Sequence, residues 1–112
     1  MKQSQAELED RLANGFEMFV REGVPLALLW VRADQASELR KTHGARACET
    51  MLEAVERTIA NGLRPGEEVG RWGDDEFLVL SHESSTEGLE DHGQTLAGLA
   101  RTADFGGAIA FR

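Results

Sequence analysis

Apolar and polar residues follow two different periods along this chain, which predict a mixture of helices and strands. From about Gln5 to Arg21 the apolar residues are three or four positions apart, so they form one stripe on a helix. The stripe consists of Leu8, Leu12, Phe16, Phe19 and Val20. A second helical stretch, from Gln35 to Asn61, is broken near Gly44. A third helical pattern follows Ser85 or Thr86, either of which can cap it.

Four other segments have the pattern of β-strands. The continuous apolar run from Leu26 to Val31 is typical of a strand covered on both faces. The segments "EVGRW" and "EFLVL" flank Gly73-Asp74, which predicts a tight antiparallel hairpin with a two-residue connection. A final strand is predicted from Phe105 to Phe111. This order of elements predicts a sheet with helices packed on it, in the α/β or α+β class.

Composition narrows the functional classes. The chain has 112 residues, which suits one small domain, and its net charge of -8 argues against nonspecific DNA or RNA binding. Its one cysteine, Cys48, cannot form an internal disulfide, so we expect a reducing, cytoplasmic setting. The longest apolar run, Val24 to Val31, is far shorter than the roughly 20 residues of a membrane helix, so we expect no membrane contact.

The predicted hairpin carries the motif "RWGDDEF", from Arg71 to Phe77. Here the sequence resembles the GGDEF family, the diguanylate cyclase domains of bacterial signalling proteins. Four of the five signature positions match, and Asp74 stands where the family has its second glycine. The segments "PLALLWVRAD" and "THGARACETMLEAVERTIANGLRPGEEVGRWG" extend the resemblance, which covers roughly Ala6 to Arg112. We interpret residues 1–112 as a single GGDEF-like domain, truncated at both ends relative to the family.

The resemblance implies a palm-like fold with a central, mostly antiparallel sheet flanked by helices. It also implies a reaction in which two GTP molecules, one on each subunit of a homodimer, condense to cyclic di-GMP. Carboxylates that hold two Mg²⁺ ions serve this chemistry, because the metals neutralise the triphosphate. By the resemblance, Asp75 and Glu76 are the catalytic signature positions, and Asp75 is a metal ligand.

The chain departs from the family at the second metal ligand. The family carries Asp-x-Asp at the end of its first strand, where this chain has Arg32 and then Asp34. A guanidinium cannot ligate Mg²⁺. We therefore predict that Arg32 pairs with Asp75 or Asp74 in place of the metal, and that Mg²⁺ is not bound.

The nucleotide-binding positions implied by the resemblance are Gly73, Asp74, Arg40 and Glu49. Arg40 stands where the family has a guanine-recognising Asn, and Glu49 where it has the paired Asp. Arg40 offers only donors, whereas Glu49 still accepts hydrogen bonds. A carboxylate at Asp74 adds bulk and negative charge close to where the phosphates would lie.

A further motif concerns product inhibition. Many family members bind cyclic di-GMP at Arg-x-x-Asp, and the same offset here holds Arg64 and Glu67. These two residues are either a remnant of that inhibitory site or a surface ion pair. His43, His82 and His92 lack metal-ligand spacing, so we interpret them as surface or core residues.

Three functions remain open at this level. In the first, the domain is a catalytically inactive regulatory or dimerisation module of a larger cyclic di-GMP signalling protein. In the second, it is an active diguanylate cyclase with an altered metal site formed by Asp75, Asp34 and Glu76. In the third, it is a receptor for cyclic di-GMP or GTP that reads its ligand through Arg64.

Overall fold

The helices and strands of the computed structural model follow the predicted order. The structure describes residues 5–83, 85–100 and 103–111. The elements are α1 (Gln5–Glu22), β1 (Leu26–Arg32), α2 (Ala36–His43), α3 (Ala45–Asn61), β2 (Glu68–Arg71), β3 (Glu76–Ser81), α4 (Thr86–Ala100) and β4 (Asp104–Phe111). None of the helices in these ranges combines the length and the apolar character that crossing a membrane requires.

The two central helices are separated by one glycine. Gly44 has a φ of 92°, a left-handed conformation that favours glycine, and it ends α2 directly before α3 begins. In α3 the buried residues Cys48, Leu52 and Ile59 recur at helical spacing and face the core. On α4, the Ser85 hydroxyl accepts a hydrogen bond from the backbone N–H of Gly88, which confirms Ser85 as the helix cap.

The four strands form one antiparallel sheet in the order β2-β3-β1-β4. The expectation of a mostly antiparallel sheet flanked by helices is therefore confirmed. At the hairpin end of the two central strands, Val31 lies opposite Phe77 and Arg32 lies opposite Glu76. A bulge between Trp30 and Val31 shifts the register with β4.

The pleat of β1 and β3 divides the core into two parts. The first face carries the buried residues Leu29, Val31, Phe77 and Val79, which pack against α3 and α4. The second face carries Leu28, Trp30, Leu78 and Leu80, which pack with Leu8 of α1. The prediction that β1 is covered on both faces is confirmed, although Leu28 and Trp30 are only half-buried.

The hairpin differs from the sequence prediction in its connection. Arg71 lies opposite Phe77, and the backbone N–H of Trp72 donates to the carbonyl of Glu76 at 2.8 Å. The connection therefore contains three residues, 73–75, and the predicted two-residue turn is wrong. Gly73 has a φ of 80°, so the turn uses the one residue that adopts this conformation without strain.

The apolar stripe of α1 is covered only near its N-terminal end. Leu8 is fully buried, whereas Phe16 and Val20 expose 46% and 64% of their surface. The helix was predicted correctly from its period, but the stripe alone did not show how much of it the sheet covers.

Candidate functional site

The tip of the β2–β3 hairpin is fixed by backbone hydrogen bonds beside the end of β1. The backbone N–H of Ala33 donates to the carbonyl of Asp75 at 2.9 Å. Gly73 and Asp74 are exposed, whereas Asp75 and Glu76 are half-buried. The signature acids therefore lie at the end of the sheet, next to the start of α2.

Asp75 is paired with an arginine, but not with the one that was predicted. One Nη atom of Arg40 lies 2.7 Å from the Asp75 Oδ1 atom, and it also lies 3.3 Å from the Cys48 Sγ atom. The Cys48 thiol in turn donates to the carbonyl of Ala36 at 3.3 Å. The prediction that Arg32 neutralises Asp75 or Asp74 is therefore wrong, and Arg40 of α2 supplies the cation instead.

Strand alternation explains why Arg32 does not reach Asp75. Successive side chains of a strand point to opposite faces of the sheet. Arg32 lies opposite Glu76 and follows Val31, whose side chain points to the α3 face, so Arg32 points to the α1 face. Asp75 is one residue before Glu76 and therefore points to the side where α2 lies. Arg32 is exposed and forms no salt bridge with Asp74 or Asp75 among the residues that the model describes.

The ion pair with Asp75 changes the pKa of Arg40. The hydrogen bond to Asp75, together with the negative charge of that carboxylate, raises the pKa of Arg40 above its usual value. The more distant charge of Asp74 acts in the same direction. Arg40 is therefore a fixed cation at any physiological pH, and it lies against the signature carboxylate.

A second ion-pair cluster involves Arg71, the first residue of the signature segment. One Nη atom of Arg71 lies 2.5 Å from the Glu49 Oε1 atom, and its Nε atom lies 3.6 Å from Glu56 Oε1. Its guanidinium carbon lies 5.6 Å from the centre of the Phe77 ring, within the range of a cation–π contact. The Glu49 carboxylate, a predicted guanine contact, is thus bound to an arginine of its own chain.

These residues do not fit the two-Mg²⁺ site that the resemblance implies. Mg²⁺ needs several oxygen ligands, usually carboxylates with substrate phosphates and water. Among residues 5–83, 85–100 and 103–111, no three His, Cys, Asp or Glu side chains converge in a way that could hold a metal ion. Asp75 is hydrogen-bonded to Arg40, and Arg32 occupies the other ligand position.

The proposed inhibitory pair, Arg64 and Glu67, does not form a side-chain ion pair. The Glu67 side chain is 4% exposed and accepts hydrogen bonds from the Arg64 backbone N–H, the Ser81 hydroxyl and His92 Nε2, at 2.7, 2.6 and 2.7 Å. The Arg64 guanidinium is half-exposed and contacts Glu83 at 3.2 Å. The interpretation of a surface ion pair is therefore wrong, because Glu67 is a buried polar centre that links β2, β3 and α4.

Opposing effects act on the Glu67 carboxyl. Burial alone would raise its pKa, but the hydrogen bonds from Ser81, the Arg64 backbone and His92 outweigh that effect, and the pKa lies below its usual value. The ionised carboxylate is therefore the form that the fold stabilises. Of the two alternatives for His92, a surface or a core residue, the core position is confirmed, because the residue is buried at 6% exposure.

Sequence reasoning left several of these residues without a role. Arg71, Glu56, Ser81 and His92 each form part of a polar cluster, but none of them was assigned to a site. Alternation gave a usable signal for Arg71, because it lies two positions after the core residue Val69 on the same strand face. For His92 and Ser81 no local signal exists, since their common partner Glu67 is remote in sequence.

Comparison with known proteins establishes the family. Residues 3–105 match the family model described as diguanylate cyclase, GGDEF domain. The chain therefore belongs to the GGDEF family. It is 31% identical over 65 residues to diguanylate cyclase DosC of Escherichia coli K12, a match that covers 58% of this chain but only 14% of DosC.

Solved structures support the fold. The GGDEF domain of PA1120 (YfiN or TpbB) from Pseudomonas aeruginosa superposes with a TM-score of 0.85 at 21% identity, covering 97% of this chain and 76% of that one. The GGDEF domain of DgcB from Caulobacter crescentus, in complex with c-di-GMP, gives a TM-score of 0.75 at 16% identity and covers 84% and 55%. At these identities the likeness shows the shared fold.

Proposed function

We propose that this GGDEF domain makes no cyclic di-GMP and acts as a regulatory or dimerisation module of a cyclic di-GMP signalling protein. The observation that carries the proposal is the 2.7 Å contact between Arg40 and Asp75. A carboxylate that serves as a metal ligand must present its oxygens to the cation, and here a permanent cation of the same chain already occupies one of them. Arg32 adds a second positive charge at the end of β1.

The predicted nucleotide contacts support the same proposal. Arg40 is bound to Asp75, and Glu49 is bound to Arg71. A guanine base that used either side chain would have to displace an internal ion pair. Asp74 extends from the exposed tip and would oppose an approaching phosphate.

A second candidate, a receptor for cyclic di-GMP, is favoured by one observation. The Arg64 guanidinium is half-exposed, and Glu83 is a surface partner of a kind that contributes little energy. An arginine in this state can exchange its carboxylate for a phosphate. In this candidate Arg64 acts without Glu67, because all the hydrogen bonds described for the Glu67 carboxylate are internal.

Activity is tested by incubating the purified protein with GTP and Mg²⁺, and separately with GTP and Mn²⁺, and then separating the nucleotides by chromatography. We expect no cyclic di-GMP above a control without protein. Product from the wild-type chain that is lost in Asp75→Asn would overturn the proposal and establish an active cyclase. Circular dichroism of both proteins verifies that they are folded.

Ligand binding is measured by isothermal titration calorimetry with cyclic di-GMP and, separately, with GTP and Mg²⁺. The receptor candidate requires saturable heat with cyclic di-GMP that disappears in Arg64→Ala. Arg57→Ala is the matched control, because Arg57 lies on α3 away from the motif. Equal binding by the wild type and Arg64→Ala would exclude Arg64 as the ligand-reading residue.

A further inference from the structure

A surface pocket of about 250 Å³ lies on the face of the sheet that carries α1, away from the Arg40–Asp75 pair. Its lining consists of Trp30, Trp72, Glu76 and Leu78. We call it the tryptophan pocket. Of these residues only Glu76 belongs to the GGDEF signature, and none takes part in the ion-pair clusters described above. The pocket is therefore a separate feature of the molecule.

The position of the strands sets the width of the tryptophan pocket. Trp72 directly follows β2 and Trp30 belongs to β1, and β3 lies between these strands with Glu76 and Leu78. Trp30 lies opposite Leu78, whereas Trp72 lies beside Glu76, so the tryptophan backbones are offset along the strands as well as separated by two interstrand spacings of about 5 Å each. The Trp30 ring packs on Gly106 and Gly107 of β4, on the far side of β1 from Trp72, so a group in the pocket packs on one indole face rather than between two. The volume is also smaller than the roughly 300–1,000 Å³ typical of small-molecule sites. The pocket therefore suits one small group that packs on an indole face and reaches Glu76.

Two glycines hold the Trp30 ring in place. A Cβ atom on Gly106 would come within 2.5 Å of the Trp30 ring, and one on Gly107 within 2.9 Å. The indole thus lies directly against the backbone of β4, where any side chain would push it away. The Trp30 ring forms one wall of the pocket, and its contact with β4 keeps it from turning freely in solvent.

Glu76 gives the pocket its charge. Its side chain is half-buried, and in the part of the chain that the model describes it forms no hydrogen bond or salt bridge. Arg32 lies opposite it on β1 but points into solvent without forming a salt bridge. A carboxylate beside an indole can accept hydrogen bonds from a cation whose flat face packs on that ring.

We propose that the tryptophan pocket binds the guanidinium group of an arginine side chain presented by a partner protein. A guanidinium is planar, stacks on aromatic rings and donates paired hydrogen bonds to a carboxylate. A lysine ammonium lacks the plane and the fork of donors. An anionic nucleotide would meet the Glu76 carboxylate and a chain of net charge -8.

Intrinsic fluorescence tests the proposal directly, because the chain has two tryptophans, both in this pocket, and no tyrosine. The probe is a capped Gly-Arg-Gly peptide, compared with the same peptide containing citrulline, which keeps the plane but loses the charge. We expect a saturable change in emission with arginine and at least about tenfold weaker binding with citrulline, since a charge-assisted hydrogen bond is lost. Equal effects of the two peptides, or no response to arginine, would overturn the proposal.

Two variants, Glu76→Gln and Arg32→Ala, distinguish an arginine side chain from a nucleotide as the ligand of the pocket. Glu76→Gln should weaken binding of the arginine peptide at least about tenfold, whereas Glu87→Gln on the exposed start of α4 should leave it unchanged. Arg32→Ala should strengthen binding, because it removes a like charge beside the pocket. If GMP instead changes the emission and Arg32→Ala abolishes that effect, the pocket takes a phosphate-bearing base and the proposal is wrong.

Discussion

Replacing Glu67 by alanine should destabilise the domain strongly, because this carboxylate connects three elements within the fold. It accepts hydrogen bonds from Ser81 on β3, from His92 on α4 and from the backbone N–H of Arg64. The Glu67 and His92 side chains are 4% and 5% exposed, so their hydrogen bond lies in a nearly dry environment.

The expected loss follows from what remains after the substitution. The Ser81 hydroxyl keeps the hydrogen bond that it accepts from the Glu83 backbone N–H, and the backbone N–H of the exposed residue Arg64 can bind water. The His92 ring cannot reach water, and a buried group without its partner costs about 1–3 kcal/mol. Adding the lost packing of the glutamate stem, we expect Glu67→Ala to lower the free energy of unfolding by about 3 kcal/mol, out of the roughly 5–15 kcal/mol typical of a domain.

Urea denaturation followed by tryptophan fluorescence measures this loss. Glu90→Ala is the matched control, because Glu90 lies exposed on α4 and should change the free energy of unfolding by less than about 0.5 kcal/mol. A double-mutant cycle with His92→Ala isolates the pair and should give a coupling of about 1–3 kcal/mol. If Glu67→Ala resembles the Glu90 control, or the two changes are additive, the buried cluster does not stabilise the fold as argued.

Further predictions concern acid stability and packing. The pKa of Glu67 in the folded state lies below the ordinary value of 4.5, so its contribution to stability is complete above pH 4.5 and is lost as the pH falls through the folded pKa. In Glu67→Gln, the urea midpoint should therefore change less with pH in this acid range. On α4, Gly93→Ala should destabilise the domain, because the new Cβ atom would lie 2.4 Å from the Phe105 ring. Gly98→Ala places its Cβ atom in open space and should raise the free energy of unfolding by about 0.5–1 kcal/mol. Thermal unfolding measures both effects. Phe77→Ala should cost about 3–5 kcal/mol in urea denaturation, because the ring is fully buried in the core on a central strand. A loss below about 1 kcal/mol would contradict that packing.

The pattern of the sequence was sufficient for the elements and the family. Helical spacing identified α3, and the apolar run Leu26 to Val31 identified β1, because these periods are local properties of the chain. The "RWGDDEF" motif identified the hairpin and the family, as the family model over residues 3–105 confirms. The absence of a carboxylate at Arg32 was likewise visible without any structure.

The partners of the charged residues were decided only by the tertiary structure. Asp75 was expected to pair with Arg32, but the pleat turns these side chains to opposite faces of the sheet, and α2 brings Arg40 to the face of Asp75. Glu67 was expected to belong either to an inhibitory product site or to a surface ion pair, and only the packing of α4 showed that His92 lies beside it. The physical reason is that a strand or helix follows from neighbouring residues, whereas an ion pair depends on which face each element turns toward the others, and that is set by the packing of the whole sheet.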